Sequence, residues 1–340
     1  MSSIRPTPVL LLSTERSGTN LLRSILSSHS NIASAPAAGI VPNLLPYCYR
    51  YLVGNETDIK ALVEDGLSLI EAHPGDWEMK FKVNEVLEKM SSPSYWEFFR
   101  VVNELYAGKQ NKEFWLCKEP NIFDWAHGFK LSLPNAKFIY MARDGRDVAS
   151  SMLKGGLHEC HIYGAARRWK LDQQKCLQLL ADPCFVRDTF FLRYEDLLMH
   201  TEETVKQLAD FLSISFEKGM LEYFERVDTR IHSQNSTLWK NLSKPLMKNN
   251  YDKFRENLSR HQIRIFESIA HEELISLGYQ LTGYQKNLRG LEQAFYSALN
   301  AACKQKKMIG GTSPERSKRK KWFEVTHKIA NRDIRRAHLN

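Results

Sequence analysis

The stretch that most constrains the fold is residues 9–26, where an apolar run, a small polar loop and an amphipathic run follow one another without a gap. Residues 9–12 are all apolar, which is typical of a strand buried on both faces of a sheet. The apolar positions of the third part share one face of a helix, and they are Leu21, Leu22, Ile25 and Leu26. The stretch therefore predicts a strand, a loop and a helix in direct succession.

The loop of this unit, residues 13–20, contains a glycine, several hydroxyl or amide side chains and Arg16. Because the first N–H groups of a helix lack intrahelical partners and lie at the positive end of its dipole, such a loop is typical of an anion site. An ATP-type loop would carry a lysine on the phosphates, and none is present here. The loop suits a nucleotide held by a terminal 5′-phosphate without metal-assisted cleavage. The alternative is an ordinary turn between a strand and a helix.

Composition indicates an ordinary globular chain of 340 residues, with 43% hydrophobic and 26% charged residues. No apolar run exceeds four or five residues, whereas a bilayer helix needs about 20, so we expect no transmembrane segment. The six cysteines form no CxxC pair and no regular spacing, which predicts neither a metal site nor a disulfide framework. A reducing, cytoplasmic location is the simplest interpretation.

Strand-like and helix-like stretches alternate along the first two thirds of the chain, which is typical of an α/β fold. We predict a P-loop-like, three-layer domain with a mostly parallel central sheet flanked by helices, and a helical C-terminal part. The predicted domain covers residues 1–284, and residues 285–340 form a helical, basic extension. Further strands are predicted at residues 31–34, 113–118, 137–142 and 189–193, and helices at residues 58–72, 144–153, 162–180 and 201–212.

A second strand end carries an arginine, Arg143, followed by an Asp-Gly turn and by Ser151 inside the next helix. A guanidinium is suited to bidentate phosphate binding. Ligands of parallel α/β folds sit at the carboxyl ends of the strands, so this site and the first loop fit one nucleotide with phosphates at both ends. The alternative for Arg143 is a surface ion pair with Asp144 or Asp147.

At this point the sequence resembles the sulfotransferase family that uses 3′-phosphoadenosine 5′-phosphosulfate (PAPS), and within it the tyrosylprotein sulfotransferase branch. The resemblance runs in order from about residue 8 to residue 282. It is carried by a 5′-phosphosulfate loop at residues 16–20, a lysine-acid-proline loop at 118–120, a 3′-phosphate motif at 143–146 with Ser151, a Tyr-Glu strand end at 194–195, and a Lys-Pro pair at 244–245 with Lys253.

The resemblance implies transfer of a sulfuryl group from PAPS to a hydroxyl acceptor, with release of 3′,5′-ADP. The acceptor would be a small molecule, carbohydrate, lipid or peptide, and the reaction would require no metal. Arg16 and Lys118 would stabilise charge on the leaving oxygen. The alternatives are a P-loop nucleotide kinase and a nucleotide-binding adaptor without turnover, and for Lys118 a lysine reaching solvent. The implied cofactor-binding residues are Arg16, Ser17, Gly18, Thr19, Asn20, Arg143, Ser151, Tyr194 and Lys253.

The general base is the point at which the sequence departs from the related branch. That branch has a glutamate in the loop after the second strand, whereas residues 34–39 here contain no acid. Candidates elsewhere are Glu119, whose alternative is an ion pair with its neighbouring lysine, and His158 and His161, whose alternative is a surface position. Glu15 could equally orient the arginine beside it, and an acidic acceptor could need no strong base.

The basic character of the chain belongs to its C-terminal end, because residues 303–340 hold 12 lysines and arginines against three acids. These figures account for the whole formal net charge of +9. Basic residues with neighbouring aromatics could bind an anionic surface or an acidic partner. The alternative is a solvated helix or a disordered terminus.

Overall fold

A computed structural model of the chain describes residues 5–53, 56–75, 77, 79–155, 159–226, 229–230, 240–309 and 319–333. Five parallel strands form the central sheet in the spatial order β2-β5-β1-β6-β7, and a two-stranded antiparallel hairpin lies apart from it. The strands are β1 (Thr7–Leu12), β2 (Ile32–Ala33), β3 (Leu52–Val53), β4 (Glu56–Thr57), β5 (Phe114–Cys117), β6 (Lys137–Ala142) and β7 (Thr189–Arg193).

Helices connect these strands and make up the C-terminal part. They are α1 (Thr19–Ser27), α2 (Ile40–Leu44), α3 (Ile59–Ala72), α4 (Val83–Leu87), α5 (Tyr95–Gly108), α6 (Ala126–Ser132), α7 (Gly145–Gly155), α8 (Ile162–Ala181), α9 (Tyr194–Met199), α10 (Thr201–Leu212), α11 (Phe254–Asn257), α12 (Arg260–Ser276), α13 (Gly290–Ile309) and α14 (Lys320–Ala330). Short 3₁₀ turns cover Leu45–Tyr51, Ile122–Trp125, Lys218–Met220, Tyr223–Glu225 and Lys240–Ser243.

The sheet is buried on both faces, as the apolar run of β1 predicts. Leu10 and Leu12 belong to one hydrophobic cluster, whereas Val9 and Leu11 belong to a second cluster on the other face. Because successive side chains of a strand point to opposite faces, β1 contributes to both cores. The predicted α/β fold, three layers with a mostly parallel sheet between helices, is confirmed.

Two local features differ from the predictions. The apolar and aromatic stretch of residues 40–51 predicts a helix that begins after Pro42, whereas the helix in the structure begins at Ile40 and gives way to a 3₁₀ turn at Leu45. Pro46 explains the change, because a proline lacks the N–H group that an α-helix interior needs. The hairpin β3–β4 was not predicted, since strands of two residues carry no recognisable alternation.

The C-terminal part joins the same hydrophobic core as the sheet. Tyr296 of α13 and Ile329 of α14 are both buried in the cluster that includes β1. The boundary at residue 284 stays a prediction. Residues 319–333 of the basic end are packed against the protein, and residues 310–318 and 334–340 lie outside the described part.

Candidate active site

A cavity of about 850 Å³ lies where the strands of the central sheet end. Its volume falls within the usual range of about 300–1,000 Å³ for small-molecule sites. The loops that follow β1, β5, β6 and β7 all contribute to it, as expected for the carboxyl edge of a parallel sheet. The predicted site residues that line the cavity are Arg16, Gly18, Thr19, Asn20, Lys118, Arg143, Ser151, Tyr194 and Lys253.

The first loop has the backbone geometry of an anion cradle. Arg16 and Gly18 both have positive φ angles, 74° and 94°, and α1 begins directly after them. A side chain at Gly18 would place Cβ within 2.4 Å of the Tyr194 ring. The glycine is therefore required both for its conformation and for the close approach of that ring.

Ser17 lies beneath the cavity and is not part of its lining. It is fully buried, and its Oγ has no hydrogen-bonding partner among the described residues. A buried hydroxyl without a partner is costly. This orphaned oxygen and the free N–H groups expected in the first turn of α1 fit a loop that binds an anion.

The two predicted phosphate sites are in direct contact with each other. Arg16 Nε donates a hydrogen bond to Ser151 Oγ at 3.0 Å, and Arg143 Nη1 donates to the Arg16 carbonyl oxygen at 3.2 Å. Burial lowers the pKa of Arg16, and the Arg143 guanidinium lowers it further, while Glu15 acts in the opposite direction. Two partly buried guanidinium groups repel each other, and a bound anion would relieve that repulsion.

Arg143 is positioned by its neighbours on three sides. Its guanidinium lies 4.4 Å from the Tyr194 ring centroid, and its Nη2 approaches Asp147 at 3.6 Å. The same Nη2 donates to the Asn250 carbonyl oxygen at 3.2 Å. The side chain is thus held at the cavity without a close, bidentate carboxylate partner, which leaves its forked donors available to an anion.

Asn250 links the remaining predicted cofactor contacts. Its Nδ2 donates to the Tyr194 hydroxyl at 2.8 Å, and its Oδ1 accepts from Lys253 Nζ at 2.7 Å. Asn250 therefore joins Tyr194 and Lys253, although no sequence motif singles it out. Its signal is only its position within the long irregular segment before α11.

Lys118 lies at the end of β5 and lines the cavity. Burial lowers the pKa of its ammonium group, and the nearby Glu15 raises it. No hydrogen bond of its Nζ is found in the described part of the chain. A half-buried cation of this kind is stabilised when negative charge is placed or develops beside it.

Glu119 has both carboxylate oxygens engaged by backbone donors. Its Oε1 accepts hydrogen bonds from the N–H groups of Ala38 at 2.6 Å and Gly39 at 3.0 Å, and its Oε2 accepts from Val41 at 3.3 Å. These donors stand at the start of α2, and Glu119 is 5% exposed and absent from the cavity lining. This geometry favours a positioning role over proton abstraction, and the role of base stays a prediction.

His161 is not among the described residues that line the cavity. His161 caps α8, where its Nδ1 accepts from the Tyr163 N–H at 3.2 Å and its ring stacks on Tyr296 with the centroids 6.1 Å apart. Burial lowers the pKa of His161, and His261 lowers it further. His158 lies outside the described residues.

His73 also lines the cavity, although no sequence pattern predicted it as a site residue. This residue follows α3, where its Nδ1 accepts from the Gly75 N–H at 3.0 Å and its Nε2 lies 3.1 Å from Arg319 Nη1. Burial lowers the pKa of His73 to about 3, with smaller effects of Arg319 and Lys118 in the same direction. In sequence it follows a predicted helix and precedes a proline, which is a common helix-ending pattern.

The second arginine of the 143–146 motif has a structural role. Arg146 is 2% exposed, and its guanidinium bonds to Asp144 at 2.6 and 3.0 Å and to Glu267 of α12 at 2.6 Å. This buried ion pair ties the strand end that carries Arg143 to the C-terminal helices. Arg143 and Arg146 thus face different parts of the molecule although they are three residues apart.

Two wider observations concern the described residues as a whole. They contain no group of three or more histidine, cysteine or acidic side chains arranged to hold a metal ion. Within the same residues, none of the helices combines the length and the apolar character that crossing a membrane requires.

The fold and the cavity together define a parallel α/β protein with an arginine-lined cavity at the carboxyl edge of its sheet. The sequence matches the model described as "Sulfotransferase family" over residues 8–218. The chain therefore belongs to the sulfotransferase family.

The curated relatives are similar at low identity. Protein-tyrosine sulfotransferase A of Caenorhabditis elegans is 22% identical over 229 residues, which cover 65% of this chain and 53% of that protein. The Drosophila melanogaster protein-tyrosine sulfotransferase is 21% identical over 223 residues, which cover 63% of this chain and only 39% of that protein. Carbohydrate sulfotransferase 1 of Danio rerio is 19% identical over 347 residues, covering 85% of this chain and 82% of that protein.

Two solved structures share the fold. The sulfotransferase domain from the curacin biosynthetic pathway superposes with a TM-score of 0.54 at 18% identity, covering 81% of this chain and 99% of that domain. The sulfotransferase domain of the Synechococcus PCC 7002 olefin synthase gives a TM-score of 0.53 at 19% identity, covering 83% and 98%. At 18% and 19% identity, these structures show a shared fold and nothing further.

Proposed function

We propose that the chain transfers a sulfuryl group from PAPS to a hydroxyl acceptor and releases 3′,5′-ADP. The observation that carries the proposal is the convergence of Arg16, Lys118 and Arg143 on one cavity of about 850 Å³. Three cations at strand ends, with an arginine in place of the phosphate-loop lysine, suit a multiply anionic nucleotide. Membership of the sulfotransferase family supports the same donor.

The two ends of the donor would occupy the two loops. The 5′ end would lie over residues 16–20, where α1 begins, and the 3′-phosphate would lie between Arg143 and Ser151. Tyr194 and Lys253 would contact its remaining surface. The hydrogen bond from Arg16 to Ser151 would then be exchanged for contacts with the ligand.

The chemical step would be an in-line displacement at sulfur. The acceptor oxygen would form the new S–O bond while the bond between sulfur and the bridging phosphate oxygen breaks. The electron pair would remain on the bridging oxygen, and the acceptor hydroxyl would lose its proton to a candidate base or to water. Lys118 and Arg16 would stabilise the charge that grows on the leaving oxygen, which is the main contribution that such a site can make.

The proposal specifies only that the acceptor carries a hydroxyl group. The acceptor is a small molecule, a carbohydrate, a lipid or a peptide. We keep Glu119 and His161 as candidate bases, although both accept backbone hydrogen bonds. An anionic surface or an acidic partner for the basic residues 303–340 is likewise a proposal.

A non-catalytic adaptor is the second candidate, and one observation favours it. The loop at residues 34–39, where the related branch has its glutamate, holds no acid. The carboxylate of Glu119 accepts hydrogen bonds from the backbone N–H groups of Ala38 and Gly39. A chain of this design could bind the nucleotide without transferring the sulfuryl group. Nucleotide binding without transfer to any acceptor of a broad panel would support it.

Thermal unfolding in the presence of nucleotides tests the proposed donor. A ligand at 100 times its Kd stabilises the folded state by about 2.7 kcal/mol. We expect 3′,5′-ADP to raise Tm without metal, and 5′-AMP to have a smaller effect. A larger effect of ATP·Mg²⁺ would overturn the proposal in favour of a P-loop kinase.

We also infer a reducing, cytoplasmic compartment for this protein. All six cysteines are free thiols, and Cys184 is exposed. Exposed free thiols persist where glutathione keeps them reduced. Subcellular fractionation of cells expressing the untagged protein tests this inference.

A further inference from the structure

We infer that residues 319–333, here called the C-terminal segment, form one wall of the acceptor end of the cavity and select the acceptor. The inference rests on the proposed function. The acceptor end is the part of the cavity lined by Ala37, His73, Pro120, Arg319, Trp322 and Phe323. Half of these residues come from the C-terminal segment, more than 180 residues after the rest in the chain.

Trp322 is the residue that joins this segment to the opposite wall. Its Nε1 donates a hydrogen bond to the Ala38 carbonyl oxygen at 2.8 Å, and its ring meets the His73 ring edge-on with the centroids 5.6 Å apart. At Gly39, which has a φ of 77°, an added Cβ would lie 2.6 Å from the Trp322 ring. The tryptophan is therefore packed against the loop that follows β2, and a side chain larger than glycine would displace it.

The loop that Trp322 contacts is held from its other sides as well. Trp77 Nε1 donates to the Pro36 carbonyl oxygen at 2.7 Å, and Glu119 accepts the N–H groups of Ala38 and Gly39. Two tryptophans and one carboxylate thus satisfy successive backbone groups of one short loop. This hydrogen-bonded loop stands where the related branch has its glutamate. On this side of the cavity the chain therefore presents packed backbone and ring surfaces and no acid from the loop.

Asp65 of α3 anchors the C-terminal segment. Its side chain is 2% exposed, and its carboxylate accepts hydrogen bonds from Lys328 Nζ at 2.8 Å, Arg332 Nη1 at 2.8 Å and the Tyr51 hydroxyl at 2.9 Å. A buried carboxylate is stable only when donors and cations compensate its lost hydration. Two of its three partners belong to the segment, so its docking and the burial of Asp65 depend on each other.

Further contacts hold the same end of the segment. The Arg332 guanidinium lies 4.6 Å from the Tyr51 ring centroid, and the Arg332 carbonyl oxygen accepts from Arg50 Nη1 at 2.8 Å. Ile329 between these cations is fully buried. The segment is therefore fixed by its last turn, and its first turn reaches the cavity. Asp65 acts as a positioning residue for Trp322 and Arg319.

The test compares variants of the full chain, using 2-naphthol as the acceptor probe and 3′,5′-ADP as the nucleotide probe. Trp322→Ala removes the wall directly. Lys328→Met removes one ion pair of the anchor, and Lys328→Arg is its matched control because it keeps the charge. Steady-state kinetics gives separate KM values for 2-naphthol and PAPS, the fluorescence of 2-naphthol reports its binding to the 3′,5′-ADP complex, and circular dichroism checks folding.

We expect Trp322→Ala to weaken 2-naphthol binding and raise its KM about tenfold, with KM for PAPS and Kd for 3′,5′-ADP within about twofold. Lys328→Met should shift the 2-naphthol constants in the same direction, and Lys328→Arg should restore them. Unchanged 2-naphthol constants, or equal shifts for acceptor and donor, would overturn the inference. A wild-type chain that does not bind 3′,5′-ADP would instead refute the proposed function.

Discussion

The proposed position of the 3′-phosphate site depends on Arg143. The Arg143→Ala variant should weaken 3′,5′-ADP far more than 5′-AMP, because only the bisphosphate has a group at that end. Charge-assisted hydrogen bonds contribute about 1.5–3 kcal/mol, which corresponds to about 10–100-fold in Kd. Isothermal titration calorimetry with the two nucleotides measures the difference.

The exposed Arg187 gives a control for the loss of a positive charge. Arg187→Ala should change neither affinity, and Arg143→Lys should fall between wild type and Arg143→Ala because lysine lacks the forked geometry. An equal loss for both nucleotides in Arg143→Ala would mean that the 3′ site is wrongly placed.

Gly18 allows a prediction about backbone conformation at the same scale. In Gly18→Ala the new side chain would have to adopt a φ of 94° and place its Cβ 2.4 Å from the Tyr194 ring. We therefore expect the free energy of unfolding to fall by about 3 kcal/mol and 3′,5′-ADP to bind more weakly. Gly108→Ala is the control, since nothing lies within 4 Å of its added Cβ. Urea denaturation measures both, and equal stability of the two variants would contradict the role assigned to Gly18.

At the scale of elements, long apolar or periodic stretches could be predicted and short ones could not. β1, β5, β6 and β7 lie within one or two residues of the predictions, because a buried strand leaves a continuous apolar run. The hairpin β3–β4 has two residues in each strand, so its pairing depends on tertiary contacts and not on a pattern.

A substitution of Glu119 separates its two candidate roles, which are positioning the loop before α2 and acting as the general base. In Glu119→Gln one acceptor oxygen becomes a donor facing an N–H group at the start of α2, so the free energy of unfolding should fall by about 1–3 kcal/mol. If the residue only positions the loop, Kd for 3′,5′-ADP should change little. Chemical denaturation and calorimetry give the two quantities.

Turnover decides the remaining question about this residue. A general base contributes about 10²–10⁴-fold to the rate. A loss of that size in kcat for Glu119→Gln, with stability and nucleotide affinity preserved, would contradict the positioning role and identify Glu119 as the base.

For the whole molecule, His73 predicts a pH dependence of stability. Its pKa is lowered from 6.5 to about 3, so the unfolded chain takes up a proton below about pH 6.5 that the folded chain does not. Stability should therefore fall as the pH decreases from 6.5 towards 3, by up to about 1.4 kcal/mol per pH unit. Between pH 7 and 5 the wild type should lose about 2 kcal/mol more than His73→Asn, as measured by urea denaturation.

The comparison with His73→Asn is needed because another buried group acts in the opposite direction. Burial raises the pKa of Asp172 from 3.8 to about 6, against the nearby Arg168. Its folded form holds a proton that the unfolded form has lost, so its contribution to stability decreases as the pH rises between these values. The difference between the two proteins isolates His73, and identical pH profiles would contradict its lowered pKa.

The amino-acid order alone predicts the arginine-lined side of the cavity. A strand, a loop and a helix that follow one another in the chain place Arg16 and Gly18 at a strand end, and a second such unit does the same for Arg143, because parallel strands bring their carboxyl ends to one edge. The neighbouring residues in the sequence were enough to predict each loop, since each loop is built from consecutive residues.

The residues at the proposed acceptor end of the cavity could be found only in the folded protein. Asp65 and His73 belong to α3 and the residue that follows it, whereas Trp322 belongs to the C-terminal segment, and no periodicity or motif connects the two. The two segments meet because a buried carboxylate requires cations and an apolar helix face requires cover. The same packing assigned Glu119 to the backbone of a neighbouring loop. A sequence records which side chains are available, but the partner that each one finds across the chain is fixed by burial in the folded protein.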